Sequence, residues 1–169
     1  MTKSDSLVKK IAENAIIAAI YLVLTTCIPV FQYDQVQFRI AEFLVLLCFW
    51  RPDFVFGVTI GCLLANFWSP MGFMDVLFGT SATLLSSLMI AYLSPRLIVA
   101  TIYPVVVNAF VVGAELYYLM ELPFWTNVIY VGAGEAAVIL LSYFLWMSLS
   151  HNKSFMVAIH PLRHQDVHW

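Results

Sequence analysis

The chain has 169 residues, of which 62% are hydrophobic and only 11% are charged, and its formal net charge is −2. Soluble domains average about 45–50% apolar and about 25% charged residues, and so small a globule could not hide this much apolar surface from water. The composition therefore predicts an integral membrane protein, and the absence of a basic stripe argues against a nucleic-acid partner.

Six apolar segments, separated by proline or by polar residues, follow one another along the chain. They are Ile11–Phe31, Ile40–Trp50, Phe54–Trp68, Asp75–Leu93, Leu97–Tyr118 and Phe124–Leu149. The first is about 20 residues long and no small-residue cleavage site follows it, so we interpret it as a membrane helix rather than a secretory signal. Pro104 predicts a kink in the fifth segment. We expect an all-α bundle of six transmembrane helices over residues 11–149, with a cytoplasmic N-terminus (1–10) and a cytoplasmic tail (150–169).

The second and third segments are shorter than the about 20 residues that a perpendicular span needs. They could form one re-entrant hairpin, or two short helices whose polar loops dip into the bilayer under the cover of other helices. The basic residues favour two spans, since six spans place seven of the eight on one side, which is then the cytoplasmic side. Those seven are Lys3, Lys9, Lys10, Arg51, Arg96, Lys153 and Arg163, and only Arg39 lies on the other side.

Small residues recur at helical spacing and predict close helix packing. They are Ala15 and Ala19 in the first segment, Gly57, Gly61 and Ala65 in the third, and Gly79, Ala82, Thr83 and Ser86 in the fourth. In the third and fourth segments we expect packing within the bundle, whereas Ala15 and Ala19 could equally dock a partner subunit. Cys27, Cys48 and Cys62 lie in apolar runs without metal-ligand spacing, and we interpret them as small buried hydrophobes.

Acidic residues are concentrated in the outer half of the predicted bundle, although a carboxylate in mid-bilayer costs about 2.5–3.5 kcal/mol. They are Glu42, Asp75, Glu115 and Glu135 in the segments and Asp34 and Glu121 in the loops. Arg39 is the only basic residue there, so six acids cannot all be paired internally. The remainder must be protonated, hydrated or available for a cation or a donor-rich ligand.

Two features of the predicted outer half have a structural interpretation as well as a ligand-binding one, namely the Arg39–Glu42 pair and Asn66. Arg39 and Glu42 are three residues apart and could form an ion pair that fixes the first loop. Asn66 lies one turn from the outer end of its segment, with Trp68 beyond it, and could bond another helix or read the edge of a ligand.

The fifth and sixth segments carry polar residues that could face one another. Asn108 and Glu115 are seven residues apart and share a helix face, and Gly132 would leave a ligand room above Glu135. Four aromatic residues crowd the outer ends of these segments: Tyr117, Tyr118, Trp125 and Tyr130. Most of them suit an interfacial belt, while one or two could stack on a planar ring.

The tail and the absent motifs limit the possible functions further. His160, His164 and His168 recur every four residues, and we interpret them as part of a solvated tail rather than a metal site. The chain has no G-x-x-x-x-G-K-[ST] phosphate loop, so we expect that it does not hydrolyse ATP itself. The H-E-x-x-H and G-x-S-x-G motifs of two enzyme classes are also absent.

The sequence contains four distinctive motifs, at residues 36–44 (VQFRIAEFL), 61–66 (GCLLAN), 72–85 (GFMDVLFGTSATLL) and 132–136 (GAGEA). Together these motifs resemble the QueT family of queuosine-precursor uptake proteins. The resemblance covers about residues 11–149, and it implies the six-helix substrate-binding S component of an energy-coupling factor (ECF) transporter. Such a protein binds a vitamin-like solute near the outer face and topples in the membrane to carry it inward. Alanines of helix one, here Ala15 and Ala19, meet a transmembrane coupling subunit, and two cytoplasmic ATPases drive the complex.

The resemblance also implies the solute, a 7-deazaguanine such as preQ1, whose aminomethyl group is a cation. One carboxylate can accept N1–H and the exocyclic NH₂ side by side, a second can hold the ammonium, and an aromatic ring can cover the heterocycle. The residues that we expect near the solute are Arg39, Glu42, Asn66, Trp68, Asp75, Asn108, Glu115, Tyr118 and Glu135. We expect no cofactor and no metal.

Three other functions remain compatible with the residues alone. The chain could be an S component for another vitamin-like solute. It could be a stand-alone secondary transporter, coupled to a cation or proton, with Glu115 and Glu135 as a relay. It could also be a membrane assembly protein that binds no solute.

Overall fold

The computed structural model describes residues 3–27, 38–69 and 71–163, and every regular element in these ranges is helical. The elements are α1 (Lys3–Cys27), a 3₁₀ helix (Ile40–Phe49), α2 (Phe54–Asn66), α3 (Phe73–Leu93), α4 (Leu97–Ala100), α5 (Ile102–Met120), α6 (Phe124–Ser150) and α7 (Lys153–Ile159). Three stretches are long and apolar enough to cross a membrane: Phe73–Leu93, Leu97–Met120 and Phe124–Ser150. The all-α prediction is confirmed, and the count of six spans stays a prediction.

Apolar side chains cover the outside of the bundle, while charged and amide groups lie inside it. Phe56 and Phe73 are 70% and 72% exposed, whereas Glu42 and Asn66 are fully buried. Water would not favour this distribution, but lipid solvates apolar surface and excludes polar groups. The helices therefore belong to a multi-pass membrane protein.

The 3₁₀ helix lies at the centre of the bundle and packs against α1, α2, α3 and α6. Runs of 3₁₀ helix longer than about 3–4 residues are uncommon, because their hydrogen bonds are poorly aligned. Here ten residues adopt it, and the Ser142 hydroxyl and the Trp146 indole of α6 both donate to the Phe43 carbonyl at 2.8 Å. With a rise of about 2.0 Å per residue, the segment extends about 20 Å, against about 15 Å for an α-helix of equal length.

At the position of the predicted kink, α4 ends at Ala100 and α5 begins at Ile102, while Thr101 between them keeps helical backbone angles, φ −68° and ψ −24°. The helical hydrogen bonding is interrupted there, and a change of helix axis stays a prediction. The ring of a proline clashes with the carbonyl four residues earlier, and for Pro104 that residue is Ala100. The Thr101 hydroxyl at the break donates to the Ile98 carbonyl at 2.7 Å.

The glycines of α2 allow α1 to approach closely, as their spacing predicted. A Cβ atom on Gly61 would lie 2.6 Å from the Cβ of Tyr21 and 2.9 Å from the carbonyl of Ala18. Elsewhere on α1, Ala15 and Ala19 are exposed, and Ala15 lines an open apolar groove of about 550 Å³ between α1 and α2.

The cysteines only partly follow their prediction. Cys48 and Cys62 are buried, but Cys27 is exposed. Cys27 is the last residue of α1.

Arg51 connects the tail to the bundle at the end opposite Arg39. Its guanidinium donates to Glu13 and Asp53 at 2.6 Å and to the Ile159 carbonyl at 2.7 Å. Leu162 also donates its N–H to the carbonyl of Trp50 at 2.9 Å. The tail up to residue 163 therefore docks on the bundle, because the carbonyl at the end of the 3₁₀ segment needs donors that the tail supplies. No residue of α7 is buried, and the solvated tail stays a prediction. His160 is exposed, and residues 164 and 168 lie outside the described ranges.

We predict that Gly61→Ala lowers the thermal unfolding temperature in detergent. The added methyl group overlaps Tyr21, and overpacking of this kind costs about 1–3 kcal/mol. The matched control is Gly132→Ala in α6, whose Cβ would lie 3.3 Å from that of Ala109, and its unfolding temperature should change much less. Equal unfolding temperatures for both variants and the wild type would contradict the close α1–α2 packing.

Candidate ligand-binding site

Polar side chains from six helical elements converge inside one half of the bundle, and we call them the polar cluster. Its members are Tyr21, Arg39, Glu42, Cys62, Asn66, Asp75, Thr80, Thr83, Asn108, Glu115 and Glu135. None of them is more than 8% exposed. Seven of the nine residues that the sequence predicted to contact the solute are therefore gathered in one place.

Asn66 is the centre of the hydrogen-bonded part of the cluster. Its Nδ2 donates to the backbone carbonyl of Asp75 at 3.0 Å and to the Thr80 hydroxyl at 3.3 Å. Its Oδ1 accepts from Nη2 of Arg39 at 2.6 Å, and the same Nη2 lies 3.4 Å from Oδ2 of Asp75. Gly79 makes room for this junction, because a Cβ there would lie 2.7 Å from Oδ1 of Asp75. Of the two interpretations of Asn66, the structure supports bonding between helices.

The expected ion pair between Arg39 and Glu42 is wrong. Arg39 precedes the 3₁₀ helix with non-helical backbone angles, φ −83° and ψ 86°, so the two side chains do not share a face. Glu42 is held by other partners, since its Oε1 accepts from the Tyr21 hydroxyl at 2.5 Å and from the Thr83 hydroxyl at 3.0 Å.

The rest of the cluster has buried polar atoms without a hydrogen-bond partner among the described residues. They are Nη1 of Arg39, Oε2 of Glu42, Nδ2 and Oδ1 of Asn108, both carboxylate oxygens of Glu115, and Oε1 of Glu135. Each such atom costs about 1–3 kcal/mol, and native proteins keep only a few of them. Seven such atoms in one cluster make it the candidate site for a polar ligand.

These atoms are distributed along the bundle axis. Asn108 faces Glu135, which in turn lies near Glu42. Glu115 is close enough to Asp75 and Arg39 to interact with their charges. Because Asn108 and Glu115 are seven residues apart on one helix, their backbones are separated by about 10 Å along the axis. A ligand that reaches both groups is therefore at least the size of a bicyclic ring with a substituent.

Two predicted contact residues lie outside the cluster. Trp68 is 67% exposed and Tyr118 is 79% exposed, so their role in binding stays a prediction. Glu121 is exposed, and residue 34 lies outside the described ranges. The sequence did not single out Tyr21 or Thr80 for this site, since a lone hydroxyl in an apolar run gives no distinctive pattern.

We predict opposite effects on stability for the two buried amides of the cluster. Without ligand, Asn66→Leu should lower the free energy of unfolding by about 1–3 kcal/mol, because it removes the hydrogen bonds of the amide to Arg39, Thr80 and the Asp75 carbonyl. Asn108→Leu removes two unsatisfied polar atoms and should leave stability equal or higher. Thermal unfolding of both variants in detergent measures the difference, and equal losses would refute the division of the cluster into bonded and unbonded parts.

Comparison with known proteins agrees with the resemblance seen in the motifs. A family model described as QueT transporter matches residues 11–151, a range that includes every member of the polar cluster. A curated protein of Lactococcus lactis subsp. cremoris (strain MG1363), described as queuosine precursor transporter QueT, is 37% identical over 76 residues. That alignment covers 44% of this chain and 44% of the relative, so the chain matches less than half of that protein's length. No solved structure matches the chain.

The family match begins within α1, at residue 11, and ends just after α6, at residue 151. It therefore leaves out α7 and the residues that follow it. The chain belongs to the QueT transporter family.

Proposed function

We propose that this chain is the membrane-embedded S component of an ECF-type importer and that it captures a queuosine precursor, preQ1, from outside the cell. The observation that carries the proposal is the group of buried, unpartnered polar atoms in the polar cluster. The family match and the relative described as a queuosine precursor transporter support the choice of solute.

The unpartnered atoms define the chemistry of a fitting solute. Five are acceptors if the glutamates are ionised, namely Oε2 of Glu42, Oδ1 of Asn108, both oxygens of Glu115 and Oε1 of Glu135, and two are donors, Nη1 of Arg39 and Nδ2 of Asn108. A solute that satisfies them offers more donors than acceptors and carries positive charge. preQ1 has ring N–H groups, an exocyclic NH₂ and an ammonium as donors, with one oxo group and one ring nitrogen as acceptors.

The proposed topology has six membrane segments, both termini in the cytoplasm and the polar cluster toward the outside. Consecutive elements alternate in direction, because Arg39 begins the 3₁₀ segment, Asn66 ends α2 and Asp75 is in the first turn of α3. The basic residues are most frequent at the opposite end, as expected for the cytoplasmic side. This orientation lets the solute enter from outside the cell.

The proposed partners are a transmembrane coupling subunit and two ATPases. The chain has no phosphate loop of its own, so transport against a gradient needs an external energy source. Ala15 and Ala19 lie exposed on α1, and Ala15 also lines an apolar groove. Small residues of this kind allow a helix from another subunit to approach closely.

We predict that Glu135→Gln weakens preQ1 binding at least tenfold, about 1.4 kcal/mol, because the amide loses the negative charge that faces the solute. Isothermal titration calorimetry on the purified protein measures the effect. The control is Glu121→Gln, which neutralises an exposed acid and should leave the affinity unchanged. Wild-type affinity in the Glu135 variant would remove this residue from the site.

We also predict that Ala15→Leu keeps the affinity for preQ1 but slows ATP-driven uptake at least tenfold, because the larger side chain blocks contact between α1 and a helix of the coupling subunit. Uptake is measured in liposomes that contain this chain, the coupling subunit and the ATPases. Ala133→Leu, at an exposed position of α6, is the matched control and should transport normally. Accumulation by the chain alone, without these subunits, would instead favour a stand-alone secondary transporter.

A further inference from the structure

The buried amide of Asn108 differs from that of Asn66 because both of its polar atoms lack a partner among the described residues. The side chain is 2% exposed and lies near enough to the equally buried carboxyl group of Glu135 for the two to interact, although no hydrogen bond of normal distance and angle joins them. An amide beside a carboxylate presents one donor, Nδ2, next to several acceptors. Asn108 and Glu135 together therefore fit the edge of a planar ring that presents one hydrogen-bond acceptor followed by donors.

A guanine-type ring has such an edge. It presents an oxo oxygen, then N1–H, then the exocyclic NH₂, in the order acceptor, donor, donor. An adenine-type edge begins with an amino donor followed by a ring nitrogen acceptor, so it would place donor against donor at Nδ2 of Asn108. Sites built to pair a polar edge reject the mismatched analogue strongly, because their own buried groups are then left unpaired.

Glu115 has a different environment. Both of its oxygens lack partners. The charge of Arg39 acts on Glu115, but Asn66 and Asp75 engage this guanidinium through Nη2, and its Nη1 makes no hydrogen bond to Glu115. Glu115 is also about 10 Å along the axis from Asn108, beyond the reach of the same ligand edge. A carboxylate in this position fits a compact point charge such as a primary ammonium.

On the basis of the proposed function, we infer a division of roles within the unpartnered group. Asn108 and Glu135 read the oxo–amino edge of the deazaguanine ring, and Glu115 binds the ammonium of its 7-aminomethyl substituent. Asn108 is thus a specificity-determining residue for the base, and Glu115 is one for the substituent.

Two ligands that differ only at position 7 separate these roles. The probes are 7-aminomethyl-7-deazaguanine, which is cationic, and 7-cyano-7-deazaguanine, which is neutral and has the same ring edge. Glu115→Gln should weaken the cationic ligand at least tenfold and leave the neutral ligand within about twofold of wild type. Asn108→Leu should weaken both ligands by the same factor, at least tenfold.

A third probe, 7-aminomethyl-7-deazaadenine, tests the edge directly. The wild type should bind it more weakly than the guanine analogue, and Asn108→Leu should reduce the difference in affinity between the two ligands.

Glu115→Met replaces the carboxylate with an apolar side chain of similar length. It takes the place of Glu115→Gln if that variant does not fold, as judged by thermal unfolding.

The outcomes distinguish failure of the inference from failure of the proposed function. If the wild type binds neither deazaguanine, the proposed function is wrong. If it binds them but the Glu115 variants weaken both ligands alike, or if Asn108→Leu weakens only the cationic ligand, the assigned roles are wrong while the proposed function stands.

Discussion

The contact between Arg39, Asn66 and Asp75 engages the one basic side chain of the polar cluster. It joins the start of the 3₁₀ segment to the end of α2 and the start of α3, in an environment where an unpaired guanidinium would be costly. Because Asp75 and Asn66 engage this cation, Glu42, Glu115 and Glu135 keep no basic side chain of their own among the described residues. The same contact that stabilises the fold therefore leaves these three carboxyl groups without a countercharge.

The 3₁₀ segment carries this contact to the centre of the protein. Its ten residues lie between Arg39 at one end and Arg51 at the other, and each arginine bonds to elements distant in sequence. The stretched helix reaches further than an α-helix of equal length, so a segment that is short by residue count still connects the two polar ends. Protein cover on several sides makes this geometry tolerable in a membrane.

Much of the fold could be predicted from the sequence, because proline and polar residues mark where helices stop. The segments predicted to begin at Phe54 and Phe124 and to end at Leu93 agree with the helix bounds. The 3₁₀ geometry could not be predicted, since a run that is apolar on every side has no period from which to read a helix type. The order of the tail also depends on contacts with residues more than 100 positions away, which local sequence does not encode.

The site was predictable in composition but not in its internal arrangement. A surplus of buried acids is visible in the sequence, and it identified Glu42, Glu115 and Glu135 correctly as buried groups. Their partners were not visible, because Arg39 and Asp75 are 36 residues apart and Arg39 has a close acidic neighbour in the sequence that it does not bind. Which polar atoms remain unsatisfied emerges only when all six elements are assembled.

Under the proposed function, the unsatisfied atoms would also link occupancy to the lifetime of the protein. A solute that binds the folded chain and not the unfolded chain adds to folding stability by mass action, about 2.7 kcal/mol at a hundred times its dissociation constant. The vacant protein lacks this contribution and opens more often to quality-control proteases. The number of carriers in the membrane would then rise and fall with the nutrient itself, without a dedicated regulator.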